Sequence, residues 1–184
     1  MERSLVMPLG VVVERREIAN RWQRHVWRAT AVFPGAPEVT VWRELRRGEG
    51  WIHYHASTLP LELHRKETEA YVQNLIAEPS IYVVLRPVEA PGGAHDVQPF
   101  RVTASPYEAQ DYMDSDDQVE RVAMPDDVVT WLQAFVDRHH VAEPFRKRRR
   151  ERHDVEGTTF ARPARFDGPD RMRASRPSGS SGRG

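Results

Sequence analysis

Two histidines separated by one residue are the first candidates for chemistry in this chain. His53 and His55 lie in an alternating segment, residues 51–59, that predicts a β-strand, so both imidazoles project from one face. Two imidazoles at this spacing suit zinc or iron if a third ligand joins them. The candidates for that ligand are His64, His95 and Asp96. Because no spacing fixes the third ligand, we favour the polar side of an amphipathic strand, and we predict no bound metal and no cofactor.

Four tryptophans in the first third of the chain are candidates for an apolar ligand pocket. Large aromatic side chains line many small-molecule sites between strands. They also fill the core of small β-proteins, where each indole N–H needs a hydrogen-bond partner. The core interpretation is favoured, and the pocket stays open as a hypothesis. The four residues are Trp22, Trp27, Trp42 and Trp51.

Alternating carboxylates between Glu108 and Glu120 form the third candidate. Carboxylates at close spacing bind calcium or exchange protons with a substrate. An EF-hand loop needs a glycine at its sixth position and a glutamate at its twelfth, and this stretch has neither in register. We therefore interpret it as a solvated acidic segment that attracts either a basic partner or the basic tail of this chain.

The sequence carries none of the common enzyme motifs. It has no cysteine, which excludes disulfides, thiolate metal sites and a cysteine nucleophile. It also lacks a phosphate-binding glycine loop, a serine-hydrolase elbow and a metalloprotease His pair. We name no catalytic residue, and the missing motifs favour a binding role over catalysis.

Charge is distributed unevenly along the 184 residues, which carry 27 basic and 27 acidic side chains. Residues 145–184 hold 12 of the basic and 5 of the acidic ones, so residues 1–144 are acidic overall. The basic run at 146–150 and the Pro, Ser and Gly that follow cannot bury enough apolar surface to order the backbone. We predict one domain over 1–144 and a disordered basic tail over 145–184. The composition favours a tail that only keeps the protein soluble or that binds an acidic protein surface, over one that binds nucleic acid.

The elements that must position these residues are mostly strands. Short β-branched and alternating runs at 9–13, 27–33, 41–45, 51–59, 81–85, 100–104 and 118–122 predict strands. A short helix over 67–77 lies between them. A stronger helix begins at Met124–Asp127, with apolar residues at 128, 131, 132, 135 and 136. The prediction is an α+β protein with a β-rich antiparallel sheet or partial barrel. No apolar run approaches the ~20 residues of a membrane helix, and no signal peptide is evident, so we predict a cytoplasmic protein.

Several stretches resemble an uncharacterised family of small bacterial proteins, a domain of unknown function. The resemblance spans about residues 8–142. The stretches are LGVVVERR at 9–16, WQ and WR at 22–23 and 27–28, VFPGAP at 32–37, LHRKETEAY at 63–71, YVVLR at 82–86 and TASPYEAQDY at 103–112.

The resemblance implies a context more than an activity. Members of this family are found near genes for molybdenum-dependent formate dehydrogenase and its maturation, and some are labelled molybdopterin-guanine dinucleotide biosynthesis protein A. We therefore expect an accessory protein that binds another protein during molybdo-enzyme assembly. A role in molybdenum-cofactor biosynthesis, with a pterin or nucleotide in a Trp-lined pocket, is the alternative. Nucleic-acid binding through the basic tail is the third possibility.

Overall fold

The computed structural model describes residues 4–88 and 95–141. It confirms a β-rich antiparallel α+β protein. The predicted tail, 145–184, lies outside the described residues. The strands are β1 (Ser4–Glu17), β2 (His25–Pro34), β3 (Arg43–Gly48), β4 (Trp51–His64), β5 (Ser80–Pro87), β6 (Val97–Thr103) and β7 (Gln118–Ala123). The helices are α1 (Thr68–Ile76), α2 (Pro106–Met113) and α3 (Asp126–His139), and a single 3₁₀ turn, Arg65–Glu67, precedes α1. Within the described ranges, no helix is both long and apolar enough to span a membrane.

The strands form two antiparallel sheets that share one core. The first sheet has the order β2-β1-β4-β3, and the second has the order β6-β5-β7. β7 lies beside β2, and β6 lies beside β4, so both edges of the second sheet approach the first sheet and the arrangement resembles a partial barrel. At the β4–β6 approach, Arg101 Nη2 lies 4.0 Å from Glu62 Oε2.

The core draws side chains from both sheets and from α1 and α3. Leu9, Val11 and Val13 of β1 alternate into it, as the period of two along a strand requires. The apolar stripe of α3 enters the same core, and Phe135 meets Tyr71 of α1 edge to face, with ring centroids 6.2 Å apart. This packing explains why a short helix such as α1, which is marginal alone, is stable here.

Helix α3 begins and ends where its sequence predicts. Pro125 occupies the N-cap, Asp126 and Asp127 follow at the positive end of the helix dipole, and Arg138 and His139 lie in the last turn. The helix spans Asp126–His139, which agrees with the stripe in the sequence. The N-terminus of α2, unlike that of α3, is capped by a side chain. The Ser105 hydroxyl accepts a hydrogen bond from the Glu108 backbone N–H.

A β-bulge in β4 corrects one prediction of the alternation. Val12 pairs with His55 and Val11 pairs with Ser57, so Ala56 is the extra residue. Alternation would place Ser57 on the face of His53 and His55. The bulge instead pairs Ser57 with Val11, a core residue, and therefore turns it to the core face.

Strand β3 is an edge strand, and it begins later than the apolar residues of 41–45 predict. It pairs with β4 alone in the described part of the chain, and all six of its residues are exposed. Leu45 is the extra residue of a bulge between Glu44 and Arg46. The residues of β3 are therefore not held in place by burial of their side chains. Their pairing with β4 determines where the strand begins and ends.

Candidate functional site

His53 lies in a hydrogen-bonded row that crosses three strands. Glu14 of β1 and Arg46 of β3 stand directly opposite it on the two sides. Arg46 Nε donates to His53 Nδ1 at 3.2 Å, so Nε2 carries the ring hydrogen and donates to Glu14 Oε2 at 2.9 Å. Both ring nitrogens are therefore occupied by protein partners, which leaves neither free to bind a metal.

Glu14 is the centre of this row. Its other carboxylate oxygen accepts a hydrogen bond from Arg16 Nε at 2.8 Å, and its side chain is largely buried. The hydrogen bond from Arg16 holds the pKa of Glu14 below its usual value, His53 acts in the same direction, and burial opposes both. A carboxylate held in this way remains ionised and orients the histidine.

His55 lies on the same face but in a different environment. It is 3% exposed and contacts Phe33 with ring centroids 4.9 Å apart. The Thr58 hydroxyl donates to the Pro37 carbonyl, so its oxygen accepts from His55 Nε2 at 3.1 Å. Burial lowers the pKa of His55, because the charged imidazolium is poorly solvated there.

The candidate third ligands do not join the histidine pair. His64 Nε2 lies 3.4 Å from Glu62 Oε2. Asp96 Oδ2 accepts a hydrogen bond from the Trp27 indole N–H at 3.0 Å. Within residues 4–88 and 95–141, no group of three or more His, Asp or Glu side chains is arranged to hold a metal ion.

The structure brings two of the four tryptophans together. Trp27 and Trp42 meet edge to face with centroids 5.5 Å apart, and Tyr54 packs against both. Trp22 is 91% exposed, so it belongs to neither a core nor a pocket. Trp51 lies on the backbone of Gly48, beside the His53 ring. The four side chains therefore occupy three separate environments.

His95 fills the space that the paired tryptophans enclose. Its imidazole stacks on Trp42, with centroids 3.9 Å apart and planes inclined by 12°. Trp27 and Tyr54 each contact it edge on, at 5.4 Å. Burial lowers the pKa of His95, and the nearby Arg15 charge acts in the same direction. This cluster behaves as a small aromatic core that ties the segment after β5 to the first sheet.

An apolar patch is exposed on the second sheet, and we call Phe100, Tyr112 and Met113 the α2 patch. Phe100 is the extra residue of a bulge between β5 and β6, because Val84 pairs with Arg101 and Leu85 with Pro99. Phe100 is 42% exposed and Met113 55% exposed, and Phe100 meets the Tyr112 ring at 6.1 Å.

The side chain of Arg86 supports the Phe100 ring of the α2 patch from beneath. The guanidinium of Arg86 lies 3.4 Å from the centroid of the Phe100 ring. It also donates twice to Asp117, with both contacts at 2.9 Å. This bidentate pair orients the plane of the guanidinium, and with it the aromatic ring above.

An acidic cavity of about 420 Å³ lies between α1, α2 and β6. Arg101 and Glu108 pair across it, and the Thr103 hydroxyl donates to the second oxygen of Glu108. The remaining carboxylates at its wall belong to Glu67, Glu69 and Asp111. The acidic stretch of the sequence therefore contributes to two surfaces, because Glu108 and Asp111 line the cavity and Asp117 supports the α2 patch.

The family model described as "Protein of unknown function (DUF3305)" matches residues 8–149. The chain belongs to this family. No curated protein and no solved structure matches the DUF3305 chain.

Two features of this DUF3305 chain are not predicted by its sequence. The sequence predicts Phe100 in a strand of ordinary alternation, and only the bulge exposes it. The sequence offers His95 as a candidate third metal ligand, whereas the structure packs it among aromatic rings. The sequence has no local signal for either feature, because a bulge and a contact between distant segments both follow from the fold.

Proposed function

We propose that this protein is an accessory protein that binds another protein, and that its partner is a molybdo-enzyme, such as formate dehydrogenase, or a maturation factor of one. The observation that carries the proposal is the exposed α2 patch. An apolar surface of this kind on a small domain marks sites of protein association more often than isolated exposed residues do.

The chemistry of the α2 patch favours a protein partner over a small molecule. Aromatic residues and methionine are enriched at protein interfaces, and arginine is enriched there with them. The patch combines Phe100, Tyr112 and Met113 with the Arg86 guanidinium beneath. It is formed by a β-bulge and the end of a helix.

The kind of partner is proposed from the sequence resemblance, which associates this family with formate dehydrogenase and its maturation. The proposed place of action is the cytoplasm, where such assembly steps occur. On this proposal the protein acts by contact alone and needs no cofactor of its own.

The test is complementation in a bacterium that carries this gene and grows on formate. Deletion lowers formate dehydrogenase activity without lowering its transcript, and the wild-type gene restores the activity. The double variant Phe100→Ser with Met113→Ser fails to restore it, because it removes the apolar contact. Val41→Ser is the matched control, since Val41 is an exposed apolar residue outside the α2 patch.

Direct binding supplies the second measurement. Purified formate dehydrogenase lacking its cofactor binds the wild-type chain, and the double variant binds at least tenfold more weakly. Full activity with the double variant contradicts the proposal. Equal loss of every molybdo-enzyme activity in the deletion strain favours cofactor biosynthesis instead, and loss of the transcript favours a role at nucleic acid.

A further inference from the structure

We propose that the outer face of the first sheet binds single-stranded nucleic acid, with phosphates on arginine side chains and a base on Trp22. This inference goes beyond the proposed function and does not use the α2 patch, which lies on the second sheet. The surface lies at the end of the first sheet where the β1–β2 and β3–β4 hairpins both turn. The two hairpins are joined there, because the Glu17 N–H donates to the Gly50 carbonyl at 2.7 Å.

Arginine is concentrated at this end of the sheet. Residues 1–144 carry 15 basic and 22 acidic side chains, yet the segments 14–28 and 43–51 hold eight of the basic ones and only four of the acidic ones. All eight are arginines. The two segments are therefore basic within an otherwise acidic stretch of the chain, and such a separation of charge orients a protein toward a polyanion.

Four of the eight arginines project from the face of the sheet that points away from the main core. Directly paired residues of antiparallel strands share a face. Arg28 of β2 lies opposite Glu14, and Arg46 of β3 lies opposite His53, in the row that crosses all four strands. The other two lie in the rows on either side of it. We call these four residues the arginine face: Arg16, Arg28, Arg43 and Arg46.

Most of the charge on the arginine face has no internal partner. Glu14 is the one carboxylate in these three rows, and Arg16 and His53 already bind it. The other three arginines are exposed, and within the described part of the chain none of them forms an ion pair with a carboxylate. Interfaces between proteins exclude charged residues from their centre, whereas interfaces with nucleic acid are much more positively charged. The arginine face therefore suits phosphates better than a protein surface.

Trp22 supplies a second, independent observation. It lies in the loop between β1 and β2 and is 91% exposed. Hydrogen bonds order this loop, because the Trp22 N–H donates to Asn20 Oδ1 at 2.9 Å. The Ile18 N–H also donates to the Arg24 carbonyl at 3.0 Å. An indole held in this way presents a flat ring on which any base stacks, and the Arg21 guanidinium lies 6.0 Å from its centroid.

A groove of about 680 Å³ adjoins the arginine face at the edge of β2, next to β7. Among its described lining residues, Arg16, Arg28 and Arg121 face two carboxylates, Glu14 and Glu120. A volume of this size accommodates a small ligand such as one nucleotide. Proteins that bind single strands without sequence preference combine a basic groove for the backbone with aromatic side chains for the bases. The groove, the arginine face and Trp22 together provide both parts.

The test adds the full chain to a labelled DNA strand of mixed sequence and about 12 nucleotides, within the site sizes of single-strand binding folds. Fluorescence anisotropy measures the affinity at several salt concentrations. The triple variant Arg28→Gln, Arg43→Gln and Arg46→Gln should bind at least tenfold more weakly. Its plot of log affinity against log salt should be shallower by about 2, since each lost phosphate contact removes about 0.7 from the slope.

A matched control removes three exposed basic side chains elsewhere, through Arg65→Gln, Lys66→Gln and Arg138→Gln. It lowers the net charge by the same amount and leaves residues 145–184 unchanged. We expect its affinity to stay within twofold of the wild type. Equal losses in the two triple variants would show that net charge or other basic residues govern binding, and the inference would then be wrong. Thermal unfolding verifies that each variant is folded.

Trp22→Ala tests the stacking of a base. We expect binding at least fivefold weaker, because the variant keeps every arginine and loses only the exposed ring. Ile76→Ala is the control, since Ile76 is 79% exposed on α1, and it should bind as the wild type does. An unchanged affinity in Trp22→Ala contradicts the inference.

Two further probes distinguish the kind of partner. Polyglutamate and vesicles containing phosphatidylserine present negative charge without bases, so both should bind the wild-type chain more weakly than the DNA strand does. Polyglutamate that binds as tightly as DNA, and loses its affinity in the arginine-face triple variant, would identify an acidic protein segment as the partner. Binding to the vesicles alone would identify a membrane surface. Either result overturns the inference.

Discussion

The Phe33 ring lies directly on the backbone of Gly10, on the face of the first sheet that points away from the main core. Gly10 pairs with Phe33 across β1 and β2, and the turn after β2 brings Ala36 to the same place. A small second core therefore forms outside the sheet, with the buried His55 at its margin.

Replacing Gly10 by alanine should destabilise the protein. A Cβ at this position would lie 2.6 Å from Phe33 Cε1 and 2.7 Å from the Ala36 Cβ, so the ring and the turn must both move. Overpacking of this kind costs about 1–3 kcal/mol. Urea unfolding measures the loss, and in a Phe33→Ala background the same substitution should cost clearly less. Equal costs in both backgrounds would mean that the ring does not restrict this position.

Asn74→Ala should be among the most destabilising substitutions on α1. The buried amide donates to the Ser80 and Ala104 carbonyls at 2.8 and 2.7 Å, and its oxygen accepts from the Ser80 backbone N–H at 3.0 Å. Its removal leaves these buried groups without partners, which costs about 1–3 kcal/mol for each one that water cannot reach. Calorimetry measures the loss. Gln73→Ala, on the exposed side of the same helix, is the control, and equal melting temperatures for the two variants would contradict the prediction.

Glu14→Gln should reduce the loss of unfolding free energy that the wild type shows as the pH falls into the acid range, which we call the acid limb. The usual pKa of Glu14 is 4.5, and Arg16 and His53 lower it in the folded protein. The unfolded chain then binds its proton at a higher pH than the folded one, so this stability is present above about pH 4.5 and is lost as the pH falls through the lower folded pKa. Urea unfolding at a series of pH values from 7 to 3 measures the free energy of unfolding along this acid limb.

At neutral pH, Glu14→Gln should cost about 1–3 kcal/mol, because it weakens charged hydrogen bonds in a largely buried row. Glu44→Gln provides the comparison, since the Glu44–Arg47 pair is exposed and such pairs contribute little. A variant with the acid limb of the wild type would show that Glu14 is not responsible for it.

His55→Phe should reduce the loss of stability below pH 6.5. The usual histidine pKa is 6.5, and burial lowers that of His55 in the folded state. Between the two values the unfolded chain binds more protons, so stability falls as the pH drops through this range. Phenylalanine does not titrate, which removes this part of the slope. Because His95 and His139 are shifted in the same direction, some slope should remain. Identical slopes for variant and wild type would contradict the assignment.

The sequence predicts elements best where one periodicity runs unbroken. The stripe of α3 is continuous, and the helix that it predicts is found at Asp126–His139. The alternation of β4 holds from Trp51 to His55 and then fails, because the extra residue at Ala56 has no signature in a pattern of apolar and polar residues. The exposure of Phe100 depends on a second bulge, so the sequence pattern does not predict it either.

Contacts between distant segments were equally hard to predict. The Trp27 indole reaches Asp96, 69 positions later, and Gln118 donates to the Trp27 carbonyl from β7. Nothing local in the sequence indicates such partners, because they follow from the way the two sheets meet. The sequence therefore singles out Trp27, Trp42 and His95 separately, and only the fold shows that the three side chains pack together.

The edge strand β3 has a consequence for the behaviour of the protein in solution. Its bulge at Leu45 interrupts the row of backbone donors and acceptors, and Arg43, Arg46 and Arg47 bring like charges wherever two such edges approach. Two copies aligned along this edge would repel each other before their backbones could pair. We expect concentrated solutions to resist fibrillar assembly at β3, and Leu45 deletion together with Arg→Thr changes should abolish that resistance.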